Sequence, residues 1–111
     1  MTYANIKTLM TALATELKCD YAYSAFKSGT RSEFLIFYYE GSDDVYADGT
    51  NYQNIEQLVI EYYAPTKKIA NEKKIQKILN DNGLVYAKTS AYINSEALNI
   101  TTYSMEVLIN G

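Results

Sequence analysis

The sequence predicts an α+β domain in which two helices pack on one face of a mainly antiparallel sheet. Two segments show the spacing of an amphipathic helix, and five segments show the alternating or continuously apolar pattern of strands. Hairpin-length connections favour antiparallel pairing, and helices with one apolar face each favour a two-layer sandwich. The predicted order is α-β-β-(arm)-β-α-β-β, and a length of 111 residues fits a single domain spanning residues 1–111.

The helices are predicted over residues 3–18 and 67–82. Thr2 can cap the first helix and Thr66 the second, while Gly83 marks a C-terminal stop. One face of the first helix is apolar at Ile6, Leu9, Met10, Leu13 and Leu17.

The strands are predicted over residues 20–26, 33–40, 54–64, 84–93 and 98–109. The central residues of 33–40 are all apolar or aromatic, which indicates burial on both faces. In 54–64, Leu58, Ile60 and Tyr62 should share one face, and Val59, Glu61 and Tyr63 the other. Between these two strands, residues 41–54 are rich in Gly, Asp and Asn and predict a protruding arm.

The residue types present favour contact surfaces over catalysis. The chain has 12 Tyr, whose rings bury area while the hydroxyl keeps a hydrogen bond, but no His and no Trp. Without His, neither a Ser-His nor a Cys-His pair can form. The single Cys19 lies at the end of an apolar helix pattern and is interpreted as a packing residue. We therefore expect no enzymatic activity and no cofactor.

The acidic arm does not fit a metal site. With Gly49 at the sixth position of a calcium loop, Tyr46 and Ile55 would stand where oxygen ligands are needed. Zinc sites need Cys and His ligands, which this chain lacks apart from Cys19. We expect no bound metal.

The charge balance argues against specific nucleic-acid binding. The net charge is −3, and the lysines of residues 67–77 follow the pattern of a solvated helix face. No apolar run approaches the length of a membrane helix, so no membrane partner is expected. No basic-then-apolar leader is found at the N-terminus, so we expect synthesis in the cytoplasm.

The segment from Phe34 to Ile55 resembles small tail proteins of long, non-contractile-tailed phages and prophages of Gram-positive bacteria. Its pattern is an aromatic strand, Gly-Ser-Asp at 41–43, Ala-Asp at 47–48, then Tyr-Gln at 52–53 and a further strand. Residues 82–86, 90–96 and 103–111 look similar too. The resemblance is to the tail terminator or tail-to-head joining family and covers the chain from about residue 20 to the end.

That resemblance implies an α/β-type fold and a homo-hexameric ring at the head-proximal end of the tail of a virion. The ring would cap the tube of major tail protein, end its polymerisation and form the joint to the head connector and neck proteins, without a catalytic residue. We expect subunit contacts at Tyr39, Tyr46, Tyr52 and Tyr63, and at Asp43, Asp44 and Asp48 of the arm.

Three other interpretations remain open at this point, of which an enzyme, with a deep pocket of two or more convergent polar groups, is disfavoured by the absence of His. The chain can be another neck or head-completion protein of the same particle, which copy position in the virion would distinguish. It can also be a small phage-encoded binding module that inhibits a host protein, which predicts a monomer or dimer and a host partner.

Overall fold

The computed structural model describes residues 1–26, 32–42, 45–47 and 50–109, with only the backbone described within 42–53. The helices are α1, Tyr3–Leu17, and α2, Ile69–Asp81. The strands are β1 Asp20–Tyr23, β2 Phe34–Ser42, β3 Val45–Ala47, β4 Thr50–Ala64, β5 Tyr86–Ile93 and β6 Leu98–Ile109. The predicted α+β class and element order are confirmed.

The sheet has the strand order β1-β2-β4-β6-β5 within the described residues, and β3 pairs with β4 beside this path. All pairs are antiparallel except β1 with β2, where Asp20 pairs with Phe34 and Tyr23 with Phe37 in parallel register. The predicted mainly antiparallel sheet is confirmed, with this one parallel pair. β1 ends at Tyr23 and β2 begins at Phe34, so the connection between them is longer than a tight hairpin turn.

The arm is a β-ribbon in its described part. β4 is four residues longer than its predicted counterpart 54–64, and its first residues pair with β3, Val45 with Gln53 and Ala47 with Thr50. Pairing of β4 with β6 begins only at Asn54 with Ile109. The ribbon therefore projects beyond the end of β6. Asp43, Asp44 and Asp48, which the sequence placed on the arm, lie outside the described residues.

The core lies between the two helices and one sheet face, which we call the helix face. β4 contributes Leu58, Ile60 and Tyr62 to this core, as the alternation predicted. Around them are the buried Ile6, Leu9, Met10, Leu13 and Leu17 of α1, Leu35 and Phe37 of β2, Ile75 and Leu79 of α2, and Tyr103, Met105, Val107 and Ile109 of β6. Burial of these apolar side chains is the main stabilising contribution.

The helix ends follow local rules at the start of α1 and at the end of α2. Thr2 and Asn5 form a reciprocal capping box, as its position predicted. At the end of α2, Gly83 adopts a φ of 71°, and Leu84 N–H donates to the Leu79 carbonyl at 3.0 Å. The expected Thr66 cap is not made, because α2 begins two residues later than predicted, with Lys68 at the N-cap position and no side-chain cap.

Candidate interaction surface

The second face of the sheet has no helix packed on it among the described elements, and we call it the open face. Strand register places on it Phe34, Ile36, Tyr38 and Glu40 of β2, Ile55, Gln57, Val59, Glu61 and Tyr63 of β4, Ile100, Thr102, Ser104, Glu106 and Leu108 of β6, and Ala87, Thr89, Ala91 and Ile93 of β5. Val59 is buried at 1% exposure, whereas Phe34, Ile36, Tyr38 and Tyr63 are half-buried and Leu108 is exposed. Partly exposed apolar side chains on a sheet face that no described helix covers are typical of a contact surface.

Aromatic rings form a cluster at one end of the open face. Phe34 and Tyr63 are paired across β2 and β4 and stack with ring centroids 4.5 Å apart and planes 15° from parallel. Phe26 packs edge-on against Phe34 at 5.4 Å. Stacked and edge-on rings fix one another's orientation, so this cluster presents a rigid apolar surface.

Glu61 orders two tyrosines beside this cluster. The Tyr63 hydroxyl donates to Glu61 Oε1 at 2.9 Å, and the Tyr38 hydroxyl donates to Glu61 Oε2 at 3.4 Å. Burial, followed by the bond to Glu61, raises the pKa of Tyr63, and burial and the charges of Glu61 and Glu40 raise the pKa of Tyr38. Both phenols are therefore neutral hydrogen-bond donors at physiological pH.

The open face is also acidic. Glu40, Glu61 and Glu106 lie on it, and Glu96, in the turn from β5 to β6, is near enough to Tyr63 to raise its pKa. No Lys or Arg occupies an open-face strand position in the ranges that the structure describes. The open face therefore combines aromatic and aliphatic side chains with negative charge, and its described strand positions carry no positive charge.

The predicted contact residues fall into three groups. Tyr63 lies on the open face, whereas Tyr39 lies on the helix face, half-buried against Tyr3 at 5.4 Å and Tyr23 at 5.9 Å. Burial and those two neighbours raise the pKa of Tyr39 to about 12. Tyr46 and Tyr52 are on β3 and β4 of the ribbon, where only the backbone is described, and the three aspartates lie outside the described residues. The structure thus does not bring Tyr39 and Tyr63 into one patch.

Two carboxylates that hold α2 on the sheet were not predicted from the sequence. Glu72 is 2% exposed and is paired with Lys67 at 2.9 Å and with Lys88 of β5 at 2.8 Å. Burial opposes ionisation of Glu72, but the bonds from Lys88 and Lys67 outweigh it and lower its pKa. One of its two partners, Lys88, is distant in sequence, so the local pattern alone does not reveal the buried pair.

Glu33 makes the corresponding connection at the start of α2. It accepts hydrogen bonds from Tyr62, from Lys68 at 3.1 Å and from Asn71 at 3.2 Å. Burial works against its charge, yet these bonds lower the pKa of Glu33, while burial and the Glu33 bond raise the pKa of Tyr62. Both carboxylates are thus satisfied structural ions.

Two further features bear on chemistry. Burial first, then the charges of Glu33 and Asp20, raise the pKa of the Cys19 thiol to about 11, which suits the packing role expected for it. Among the described residues, no group of His, Cys, Asp and Glu side chains could hold a metal ion. In the same part of the chain, neither helix is long and apolar enough to span a bilayer.

The fold has a counterpart among solved structures. A chain of "Virion of native gene transfer agent (GTA) particle" matches with a TM-score of 0.65 and 13% sequence identity, covering 96% of this chain and 92% of that chain. A scan against models of protein families finds no match, and a search of curated proteins finds no significantly similar sequence. The likeness shows a shared fold over nearly the whole of both chains.

Proposed function

We propose that this chain is a structural protein of a phage or phage-like virion, of the tail terminator type. It caps the tube of major tail protein, ends its polymerisation and forms the joint to the head connector and neck proteins. The observation that carries the proposal is the fold likeness to a chain of a gene transfer agent virion, which spans both chains almost completely. The tail terminator resemblance of residues 34–55 supplies the finer role.

The open face supports an assembly role. Half-buried aromatic rings, a hydrogen-bonded Glu61 and exposed carboxylates form a contact surface on a side that no described helix covers. On the α2 side, the carboxylates Glu33 and Glu72 are each paired with lysine, which makes these two unsuited to general acid–base work. We accordingly propose that the protein acts by binding and not by catalysis.

The ring proposed for this family type needs head-to-tail contacts between copies. The seven positions predicted from the sequence remain the proposed contact residues. Tyr63 is presented by the open face, and the ribbon that carries Tyr46 and Tyr52 projects beyond the sheet, where it can reach a neighbouring protein.

Deletion of the gene from the phage or prophage that encodes it tests the proposal. We expect unattached heads together with tail tubes of unregulated length, seen by negative-stain microscopy, and rescue by the gene in trans. Immunogold labelling of intact virions should mark the head-proximal end of the tail. Tails of normal length that fail to join heads would instead indicate another neck protein. Normal virions without the label would contradict a virion role.

A further inference from the structure

The described positive charges of this chain lie on one side of the sheet, whereas carboxylates occur on both sides. All the lysines that the structure describes lie on the helix side: Lys7 and Lys18 on and at the end of α1, Lys67 and Lys68 before α2, Lys73, Lys74 and Lys77 on α2, and Lys88, which bonds to Glu72 beneath α2. The open face, in its described positions, carries only carboxylates as charged groups. One molecule therefore presents an acidic open face and, on the opposite side of the sheet, a helix side that carries Glu16, Glu72 and Asp81 as well but has more lysines than carboxylates among the described residues.

The basic side has charges available for a partner. Lys73 and Lys74 are exposed on α2, and neither forms an ion pair within the described part of the chain. Ile69 stands one helical turn before Lys73 and is 58% exposed, so this helix surface also offers apolar area. This helix surface of lysines and apolar area is complementary to the open face, where apolar side chains lie beside the carboxylates of Glu40 and Glu106.

We infer that the open face of one copy docks on the exposed surface of α2 of a second copy. This inference rests on the proposed assembly role and names its subunit contact. Glu40 and Glu106 would meet Lys73 and Lys74 of the neighbour, while Ile69 would cover part of the aromatic and aliphatic area. Complementary charge steers encounter and fixes the orientation of such a contact.

A second copy is favoured as the occupant because the chain carries both halves of the contact. The two surfaces are different and lie on opposite sides, so each bound copy leaves one of each kind free. Such a heterologous contact adds copies in one direction and closes into a ring when the rotation allows it. The apolar area of the open face argues against its facing a water-filled lumen, because leaving it in water forgoes its burial.

Charge reversal on each side tests the contact. The first variant carries Glu40→Lys and Glu106→Lys, and the second carries Lys73→Glu and Lys74→Glu. All four side chains are exposed, so both variants should fold as the parent does, which circular dichroism checks. Sedimentation velocity over a concentration series at low salt should show assembly of the parent and at least about tenfold weaker association of either variant alone.

Mixing gives the decisive result. In an equimolar mixture, the reversed open face of the first variant meets the reversed α2 of the second, and the remaining contact joins two unaltered surfaces. We expect assembly to return, and also to return in a chain carrying all four substitutions. A variant with Glu16→Lys and Asp81→Lys on the helix side changes net charge by the same amount as the first variant and should keep or strengthen association.

Three results would overturn the inference: a parent that stays monomeric at its highest soluble concentration in low salt, variants that assemble like the parent, or a mixture that fails to recover assembly. None of them bears on the gene-deletion experiment. Overlong tails after deletion together with any of these results would leave the proposed function standing and reject this contact. Normal tails after deletion together with restored mixed assembly would reject the proposed function and leave this contact standing.

Discussion

The buried Glu72 gives the sharpest test of how α2 is held on the sheet. Glu72→Gln keeps the shape of the side chain and removes its charge. In the parent, this carboxylate is 3% exposed and accepts from Lys67 at 2.9 Å and from Lys88 at 2.8 Å. Without the charge, both lysines lose their counter-ion but stay close to water, since their side chains are 48% and 36% exposed.

The size of the effect follows from those exposures. A hydrogen bond to a charged group contributes about 1.5–3 kcal/mol. The amide of the variant can accept from one lysine, and the other can regain water, so the two bonds are not lost in full. We expect Glu72→Gln to lower the free energy of unfolding by about 2 kcal/mol near neutral pH. Urea unfolding followed by far-ultraviolet circular dichroism measures it.

The pH dependence identifies the charge as the cause. The folded-state pKa of Glu72 lies below its ordinary value of 4.5, since bonds to Lys88 and Lys67 outweigh burial. Its stabilisation is therefore complete above that ordinary value and is lost as pH falls through the folded-state pKa. The gap between parent and variant should close in acid, where both side chains are neutral.

A gap that persists unchanged in acid, or is absent near neutral pH, would refute the reasoning. The matched control is Asp81→Asn, which breaks the Lys77–Asp81 pair at 2.8 Å on the exposed side of the same helix. Its side chains are 76% and 61% exposed, so the control should leave stability unchanged at both pH values.

Three further outcomes are expected. Tyr63→Ala removes the stack on Phe34 and should lower the unfolding free energy by about 1 kcal/mol through that contact. It should weaken self-association more strongly, and unchanged sedimentation would contradict a contact role of the open face. Leu58→Ala at a fully buried core position should cost about 2–5 kcal/mol in urea unfolding, and a smaller loss would mean that the core closes around the cavity. Cys19, with its pKa raised to about 11, should react with iodoacetamide about a hundredfold more slowly at neutral pH than a thiol of ordinary pKa 9.0, and an equal rate would contradict that environment.

Local sequence patterns were sufficient to predict which side chains of a single strand are buried and where a helix begins. The alternation in β4 placed Leu58 in the core and Tyr63 on the other side, and Thr2 began α1 where its type and position predicted. Local patterns were insufficient where the structure depends on residues that are distant in sequence. The four residues of β1 do not encode whether they pair parallel or antiparallel with β2, since that depends on the path of the following segment.

The contact surface was only partly predictable for the same reason. Residues 34–39 are all apolar or aromatic, so the sequence of β2 does not show which of its side chains meet the helices. The structure assigns Tyr39 to the helix face and Phe34 to the open face. Phe34 was consequently not among the predicted contact residues, although its stacking partner Tyr63 was.

The separation of charge also determines the kind of symmetry that the open face can support. In a twofold dimer through this face, the acidic surface that carries Glu40, Glu61 and Glu106 would meet an identical acidic surface, and like charges brought together in a desolvated interface are costly. Docking on the lysines of α2 places opposite charges together instead, and it can be repeated from copy to copy. The net charge of −3 conceals this difference because it adds the two sides. A head-to-tail contact is therefore favoured over a face-to-face one. The proposed tail-capping ring requires this head-to-tail kind of contact.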